Sequence, residues 1–161
     1  INNAGITEDN LFMRMSENSW DKVFKINIDA SMIICRKFIR GMVKNKWGRI
    51  VNISSVVAST GNPGQSNYVA AKSALNGFTK SLALEVATRG VTVNSISPGF
   101  IDTAMTAKLT DDQKRKITEK IPMGKMGTGE DISSLVSFLV SNEAGYITGQ
   151  NIHVNGGLFL T

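Results

Sequence analysis

The segment RIVNISSVVASTGNPGQSNYVAAK, residues 49–72, decides the fold of this 161-residue chain. It opens on a short run rich in Ile and Val, which is typical of a buried strand. A loop rich in Ser, Gly, Asn and Pro follows, and an Ala-rich helix begins near the end of the segment. The order strand, loop, helix is the repeating unit of a parallel α/β sheet, in which functional groups follow the carboxyl ends of the strands.

The same alternation extends in both directions from this segment. Upstream, Ser16 is the predicted N-cap of a long helix whose apolar residues recur at helical spacing as far as Met42. Downstream, the pattern predicts a strand at 91–96, helices near 111–120 and 131–140, and a strand around 151–154. We therefore expect an α/β fold: a Rossmann-like, doubly wound parallel sheet with helices on both faces. The length fits a single domain over 1–161.

Three side chains in the deciding segment form a candidate catalytic group. Tyr68 and Lys72 are four residues apart and share one face of the predicted helix, and Ser55 follows the predicted strand. A hydroxyl, a phenol and an ammonium in this arrangement can bind and protonate a carbonyl oxygen. A Tyr and a Lys at this spacing are also common as a surface pair, so the four-residue pattern alone does not distinguish the two interpretations.

The lysine has a physical reason to be there. The ordinary pKa of a tyrosine phenol is about 10, and lowering it to about 7 takes roughly 4 kcal/mol of preferential phenolate stabilisation. One ammonium at about 4 Å, in a medium of effective dielectric near 20, supplies about that much. We therefore expect Lys72 to lower the pKa of Tyr68.

Five further segments resemble signature sequences of the short-chain dehydrogenase/reductase family, in the order in which that family carries them. They are INNAG at 1–5, FKIN at 24–27, VNSISPG at 93–99 with Thr103, YITGQ at 146–150 and VNGG at 154–157. Together with Ser55, Tyr68 and Lys72, the resemblance covers essentially the whole chain.

The resemblance implies a role for each matching residue. It implies a catalytic tetrad of Asn27, Ser55, Tyr68 and Lys72, although a helical Asn is also common as a solvent-facing residue. It further implies an NADP(H) cofactor held by Asn3, Ala4, Gly5, Tyr68, Lys72, Pro98, Gly99, Ile101 and Thr103. The loop 97–110 would act as a lid over the site.

The Gly-rich fingerprint that binds the dinucleotide pyrophosphate does not occur in this sequence. The run GKMGTG at 124–129 follows Pro122 instead of a buried strand and lacks the residues that end a phosphate loop. The resemblance therefore implies that the chain is the C-terminal two-thirds of such a fold. A catalytically dead fragment that acts only as an oligomer partner is the alternative to an enzyme.

Within the family, the chain most resembles the bacterial enzymes that reduce 3-oxoacyl groups on acyl carrier protein in fatty-acid synthesis. The resemblance implies a homotetramer, with Arg89 and Lys46 contacting the acidic carrier beside the mouth of the active site. The formal net charge of +5 agrees with such a partner. Another small carbonyl or alcohol substrate remains the alternative.

Other classes of function have little support in the sequence. One histidine, His153, and one cysteine, Cys35, are too few for an ordinary zinc site, so we expect no metal. Basic residues are dispersed and aromatic residues are scarce, which argues against a nucleic-acid partner. Neither a membrane-spanning run nor a leader is recognisable, so we expect no membrane partner and a cytoplasmic location.

Overall fold

The computed structural model describes residues 1–103, 106 and 110–160. The helices are α1 (Glu17–Phe24), α2 (Ala30–Asn45), α3 (Val57–Thr60), α4 (Ser66–Val86), α5 (Asp111–Thr118) and α6 (Gly129–Val140). The strands are β1 (Gly48–Ile53), β2 (Val91–Pro98) and β3 (Asn151–Val154). Two 3-10 turns, Phe12–Arg14 and Ala87–Arg89, and a π-helical segment, Lys25–Asp29, complete the regular structure.

The three strands form one parallel sheet in the order β1-β2-β3. Gly48 pairs with Val91 at the amino end of the sheet, and β3 joins at its carboxyl half, where Ser95 pairs with Asn151. The start of the chain extends the sheet beyond β1, because the backbone of Asn2 forms an isolated bridge with Asn52. All strand carboxyl ends therefore point to the same edge.

Apolar side chains leave the sheet on both faces, which confirms the predicted layering. Ile50 and Val93 belong to a buried cluster that also contains Cys35 of α2 and Ala83 of α4. Val51 and Ile96, on the opposite face, pack with Leu139 of α6. The helices α2 and α4 thus cover one face, and α6 covers the other.

The long helix predicted after Ser16 is interrupted. The Ser16 hydroxyl accepts a hydrogen bond from the Ser19 amide at 3.1 Å, as an N-cap does, but Lys25–Asp29 is π-helical. The wider turn changes the direction in which successive side chains point, and Asn27 within it is completely buried. The spacing of apolar residues gave no indication of this segment.

Two local features go beyond the expected elements. Lys46 ends helix α2 in a left-handed conformation with φ 53°, and Gly48 is the first residue of β1. The loop before the Tyr68 helix contains the short helix α3. No described helix is both long and apolar enough to cross a membrane.

Candidate functional site

The predicted catalytic side chains meet at the carboxyl edge of the sheet. Ser55 lies two residues beyond the end of β1, and Tyr68 and Lys72 occupy the first two turns of α4. Ser55 and Tyr68 line the same two cavities, and the Ser55 hydroxyl lowers the pKa of the Tyr68 phenol. Strand β2 ends at Pro98 beside them, so the structure brings together groups that are 43 residues apart in the sequence.

Lys72 is held inside the protein, with 3% of its surface exposed. Its ammonium donates a hydrogen bond to the carbonyl oxygen of Ile53 at 2.7 Å and lies 5.7 Å from the centroid of the Tyr68 ring. Burial penalises the charged ammonium and lowers the pKa of Lys72 from 10.5 to about 8. The ammonium therefore loses its proton far more easily than a surface lysine does.

The pKa of Tyr68 shifts in the direction opposite to the expected one. Burial of the phenol raises the pKa, the neighbouring Ser55 hydroxyl lowers it by less, and the negative charge of Asp9 raises it further. The expected lowering of the pKa requires an ammonium about 4 Å from the phenol. The ammonium of Lys72 instead donates to the strand carbonyl in this structure.

Asn27 is completely buried, which excludes the solvent-facing interpretation. Its amide nitrogen donates to the carbonyl oxygens of Ile6 and Val23, both at 2.9 Å. Its oxygen Oδ1 is buried and has no hydrogen-bond partner among the residues that the structure describes. A Cβ atom built on Gly5 would lie 2.8 Å from this oxygen and 3.3 Å from the Lys72 ammonium. An acceptor and a donor therefore border the same small space beside Gly5.

Two cavities meet at the phenol of Tyr68. The smaller one, of about 230 Å³, extends towards the buried Lys72. The larger one, of about 520 Å³, extends towards α3 and the end of α5, where Ile117 lines it. Four residues line both of them: Ser55, Tyr68, Gly99 and Thr103. A substrate in one cavity can therefore touch a second molecule in the other at this junction.

The smaller cavity fits the nicotinamide half of a dinucleotide. Of the predicted cofactor residues, it is lined by Asn3, Gly5, Tyr68, Lys72, Pro98, Gly99 and Thr103. An ammonium and hydroxyl and amide groups suit the ribose hydroxyls and carboxamide of that half. Gly99 packs its backbone against Asn155, because an added Cβ would lie 2.8 Å from the Asn155 Cα. Larger residues at either glycine would remove this space.

Two predicted cofactor residues lie elsewhere. Ile101 lines the larger cavity, and Ala4 lines neither. Sequence reasoning missed Ile6 and Ser54, which line the smaller cavity, and Asp9 and Gln65, which line the larger one. Ser54 directly follows the end of β1, and Gln65 directly precedes α4. These positions are the sequence signal that could have identified them. Of the predicted lid, residues 104, 105 and 107–109 lie outside the part that the structure describes.

Lys46 and Arg89 lie together, but not beside the mouth of the site. Each precedes the amino end of a strand, and a Cβ atom on Gly90 would lie 2.3 Å from the carbonyl oxygen of Lys46. The site lies at the other end of the same strands, about 20 Å away for a six-residue strand. Within one chain, the two basic residues therefore face a different edge of the sheet from the catalytic groups.

Comparison with known proteins supplies the family. A family model described as enoyl-(acyl carrier protein) reductase, one of the short-chain dehydrogenase/reductase models, matches residues 1–159. The chain belongs to the short-chain dehydrogenase/reductase family. The match covers both cavities and all the predicted site residues, so the geometry described above lies inside the part that defines the family.

Several members of the short-chain dehydrogenase/reductase family are similar over nearly the whole chain. A 3-oxoacyl-[acyl-carrier-protein] reductase FabG of Haemophilus influenzae is 53% identical over 161 residues, which are 100% of this chain and 66% of that protein. Nodulation protein G of a Rhizobium species is 54% identical over 158 residues, 98% of this chain and 64% of that protein. A FabG of Aquifex aeolicus is 54% identical over 159 residues, 99% and 64% respectively. The chain spans slightly less than two thirds of these relatives.

Proposed function

We propose that the protein is an NADPH-dependent oxidoreductase that reduces the 3-oxo group of acyl chains carried by acyl carrier protein. The observation that carries the proposal is the position of Tyr68 and Ser55 at the junction of two cavities, both of which they line. One cavity suits the nicotinamide half of a cofactor, and the other can take an acyl group with the carbonyl at the junction. The names of the FabG relatives support this choice of substrate.

The chain's own residues bind, orient and protonate the carbonyl oxygen. Ser55 donates a hydrogen bond to this oxygen and fixes its position, and Tyr68 donates the proton that makes it a hydroxyl. When bound, the nicotinamide supplies the hydride for the carbonyl carbon. The buried Lys72 offers donors to the ribose hydroxyls, and its low pKa of about 8 suits an ammonium that passes a proton on to the tyrosine.

Asn27 completes the proposed path by which Tyr68 regains its proton from solvent through Lys72. Its oxygen Oδ1, which has no hydrogen-bond partner among the described residues, and the Lys72 ammonium border the same space beside Gly5, and we propose that a water molecule binds to both there. Such a water accepts from the ammonium and donates to the amide oxygen. We propose that it links Lys72 to solvent.

Substituting Gly5 with Ala tests this part of the proposal. The added Cβ lies 2.8 Å from Asn27 Oδ1 and 3.3 Å from the Lys72 ammonium, so it fills the space of the proposed water. We expect kcat/KM to fall by at least about tenfold. The control is Gly77→Ala on α4, where no atom lies within 4 Å of an added Cβ and helix propensity favours Ala by about 0.5–1 kcal/mol. Equal activities of the two variants would contradict the proposed path.

The proposal also includes acyl carrier protein as a partner and an oligomer of this chain. The basic pair Lys46 and Arg89 lies at the opposite sheet edge from its own site, so a carrier docked there would present its acyl chain to the site of a neighbouring copy. Apolar side chains exposed on α2, namely Ile33, Ile34 and Phe38, support an assembly of this kind. The resemblance to the family additionally leads us to propose that this oligomer is a homotetramer.

The alternatives make different predictions for a small panel of substrates. The proposal expects the full-length protein to oxidise NADPH with acetoacetyl-carrier protein, and to do so faster than with NADH. The description of the matching family model names enoyl reduction, so crotonyl-carrier protein belongs in the panel. Preference for the crotonyl group, or for a small ketone over both, would reassign the substrate. Absence of any cofactor-dependent reaction or of a cofactor-induced rise in melting temperature would favour the dead fragment.

A further inference from the structure

The larger cavity has a carboxylate in its described lining. That lining is otherwise a mixture of apolar residues, hydroxyl groups and amides, and among the described residues that form it Asp9 is the one Asp, Glu, Lys, Arg or His. Asp9 does not belong to any of the salt bridges found among the described residues. The described part of the wall therefore carries a negative charge, which raises the pKa of Tyr68.

Asp9 is exposed, and its carboxylate accepts one side-chain hydrogen bond at the rim of this cavity. The Gln65 side-chain amide donates to Asp9 Oδ2 at 2.9 Å, and the Asn62 amide donates to Gln65 Oε1 at 2.9 Å. The backbone of Asn10 donates to the carbonyl oxygen of Gly64, also at 2.9 Å, and ties the two loops together. One bond to the carboxylate and two that support its surroundings therefore position an anion at the rim.

This anion acts on substrates that bring their own negative charge. In a 3-oxo compound, the carboxyl carbon is two bonds from the reacting carbonyl carbon. When the 3-oxo group lies between Ser55 and Tyr68, the carboxyl group must therefore lie within the same cavity, whichever way the chain is oriented. A free acid places a carboxylate there, whereas an ester or thioester places a neutral group. Like charges at this separation repel one another across a partly hydrated cleft.

We propose that Asp9 is a specificity-determining residue, whose carboxylate excludes free 3-oxo acids and admits their esters and thioesters. The inference rests on the proposed function and adds a reason why a carrier-bound acyl group is chosen over the unattached acid. Charge repulsion is the stated cause, so the discrimination should weaken as salt screens it.

The test compares acetoacetate with its neutral ester, ethyl acetoacetate, as substrates of the full-length protein with NADPH. The Asp9→Asn variant keeps an acceptor for Gln65 and removes the charge. We expect the ratio of kcat/KM for acetoacetate to that for the ester to rise about tenfold in this variant, because the repulsion between two like charges is removed. Raising the salt concentration should increase the ratio in wild type and leave it flat in the variant.

Glu8→Gln is the matched control. Glu8 is the neighbouring carboxylate and changes the net charge by the same amount, but it bonds Ser19 and Lys22 and does not line the cavity. We expect its substrate ratio to equal that of wild type. A second variant, Gln65→Glu, adds a carboxylate to the wall and should lower the ratio, which provides a test if Asp9→Asn folds poorly.

The outcomes separate this inference from the proposed function. An unchanged ratio in Asp9→Asn, or an equal rise in Glu8→Gln, would overturn the role of Asp9 while ester reduction continued to support a carbonyl reductase. Failure of the wild type to reduce either the ester or acetoacetyl-carrier protein would overturn the proposed function, and this inference with it.

Discussion

Substituting Tyr68 with Phe in the full-length protein should reduce the rate of 3-oxoacyl reduction by about a thousandfold. The change removes one oxygen atom at the junction of the two cavities and leaves the ring, so the carbonyl loses its proton donor and one hydrogen bond. The hydroxyl makes no hydrogen bond to a core residue in the part of the chain that the structure describes, so the melting temperature should change by only a few degrees. Initial rates of NADPH oxidation and a thermal melt measure both quantities.

The chain contains one other tyrosine, which makes a matched control. Tyr146 is fully exposed, at 102% of its reference surface, and lines neither cavity. Tyr146→Phe removes the same atom and should retain the wild-type rate. A Tyr68→Phe variant with near-normal turnover would show that the phenol is not the acid.

Replacing Lys72 with Met should have the second-largest effect, with kcat/KM reduced by about a hundredfold or more. The ammonium is buried beside the catalytic phenol and has no charged neighbour among the described residues that could replace it. The control is Lys80→Met, on the same helix but exposed, for which we expect wild-type activity.

The same variant makes a prediction about pH and stability. In the folded protein the pKa of Lys72 is lowered to about 8, whereas in the unfolded chain it returns to 10.5. Between these values the unfolded chain binds more protons, so the free energy of unfolding rises with pH over this window. The gain amounts to about 3 kcal/mol and is absent below pH 8, where both states are charged.

Lys72→Met lacks the titrating group. We therefore expect the wild type to gain stability relative to this variant as the pH rises from about 8 towards 10.5, in denaturant titrations of the cofactor-free protein. Parallel stability curves for the two proteins would mean that the lysine is not penalised by burial. Lys80→Met should follow the wild type.

The sequence was sufficient to predict the layers of the fold and the meeting of the catalytic groups. Strand and helix alternation placed Ser55 at a strand end, and helical spacing placed Tyr68 and Lys72 on one face. Both follow from local periodicity, which the structure keeps. The apolar residues Ile50 and Val51 point to opposite faces because successive strand residues alternate, as the two clusters require.

Other features depend on contacts that periodicity does not encode. The π-helical segment that buries Asn27 is fixed by hydrogen bonds to Ile6 and Val23, and one of these partners is 21 residues away. The hydrogen bond of the Lys72 ammonium to the strand carbonyl depends on how α4 packs against β1. Lys46 and Arg89 lie far from the site because each precedes the amino end of a strand. The family resemblance alone did not indicate this position.

Carbonyl reduction at this site is measured by the mass of the acyl product that the full-length protein forms from acetoacetyl-carrier protein and NADPH deuterated at the transferred position. We expect a 3-hydroxyacyl product that carries one deuterium on the carbon of the hydroxyl group with wild type and Tyr146→Phe, and almost none with Tyr68→Phe. A product without the label, or equal labelling by Tyr68→Phe, would show that this site does not reduce the carbonyl.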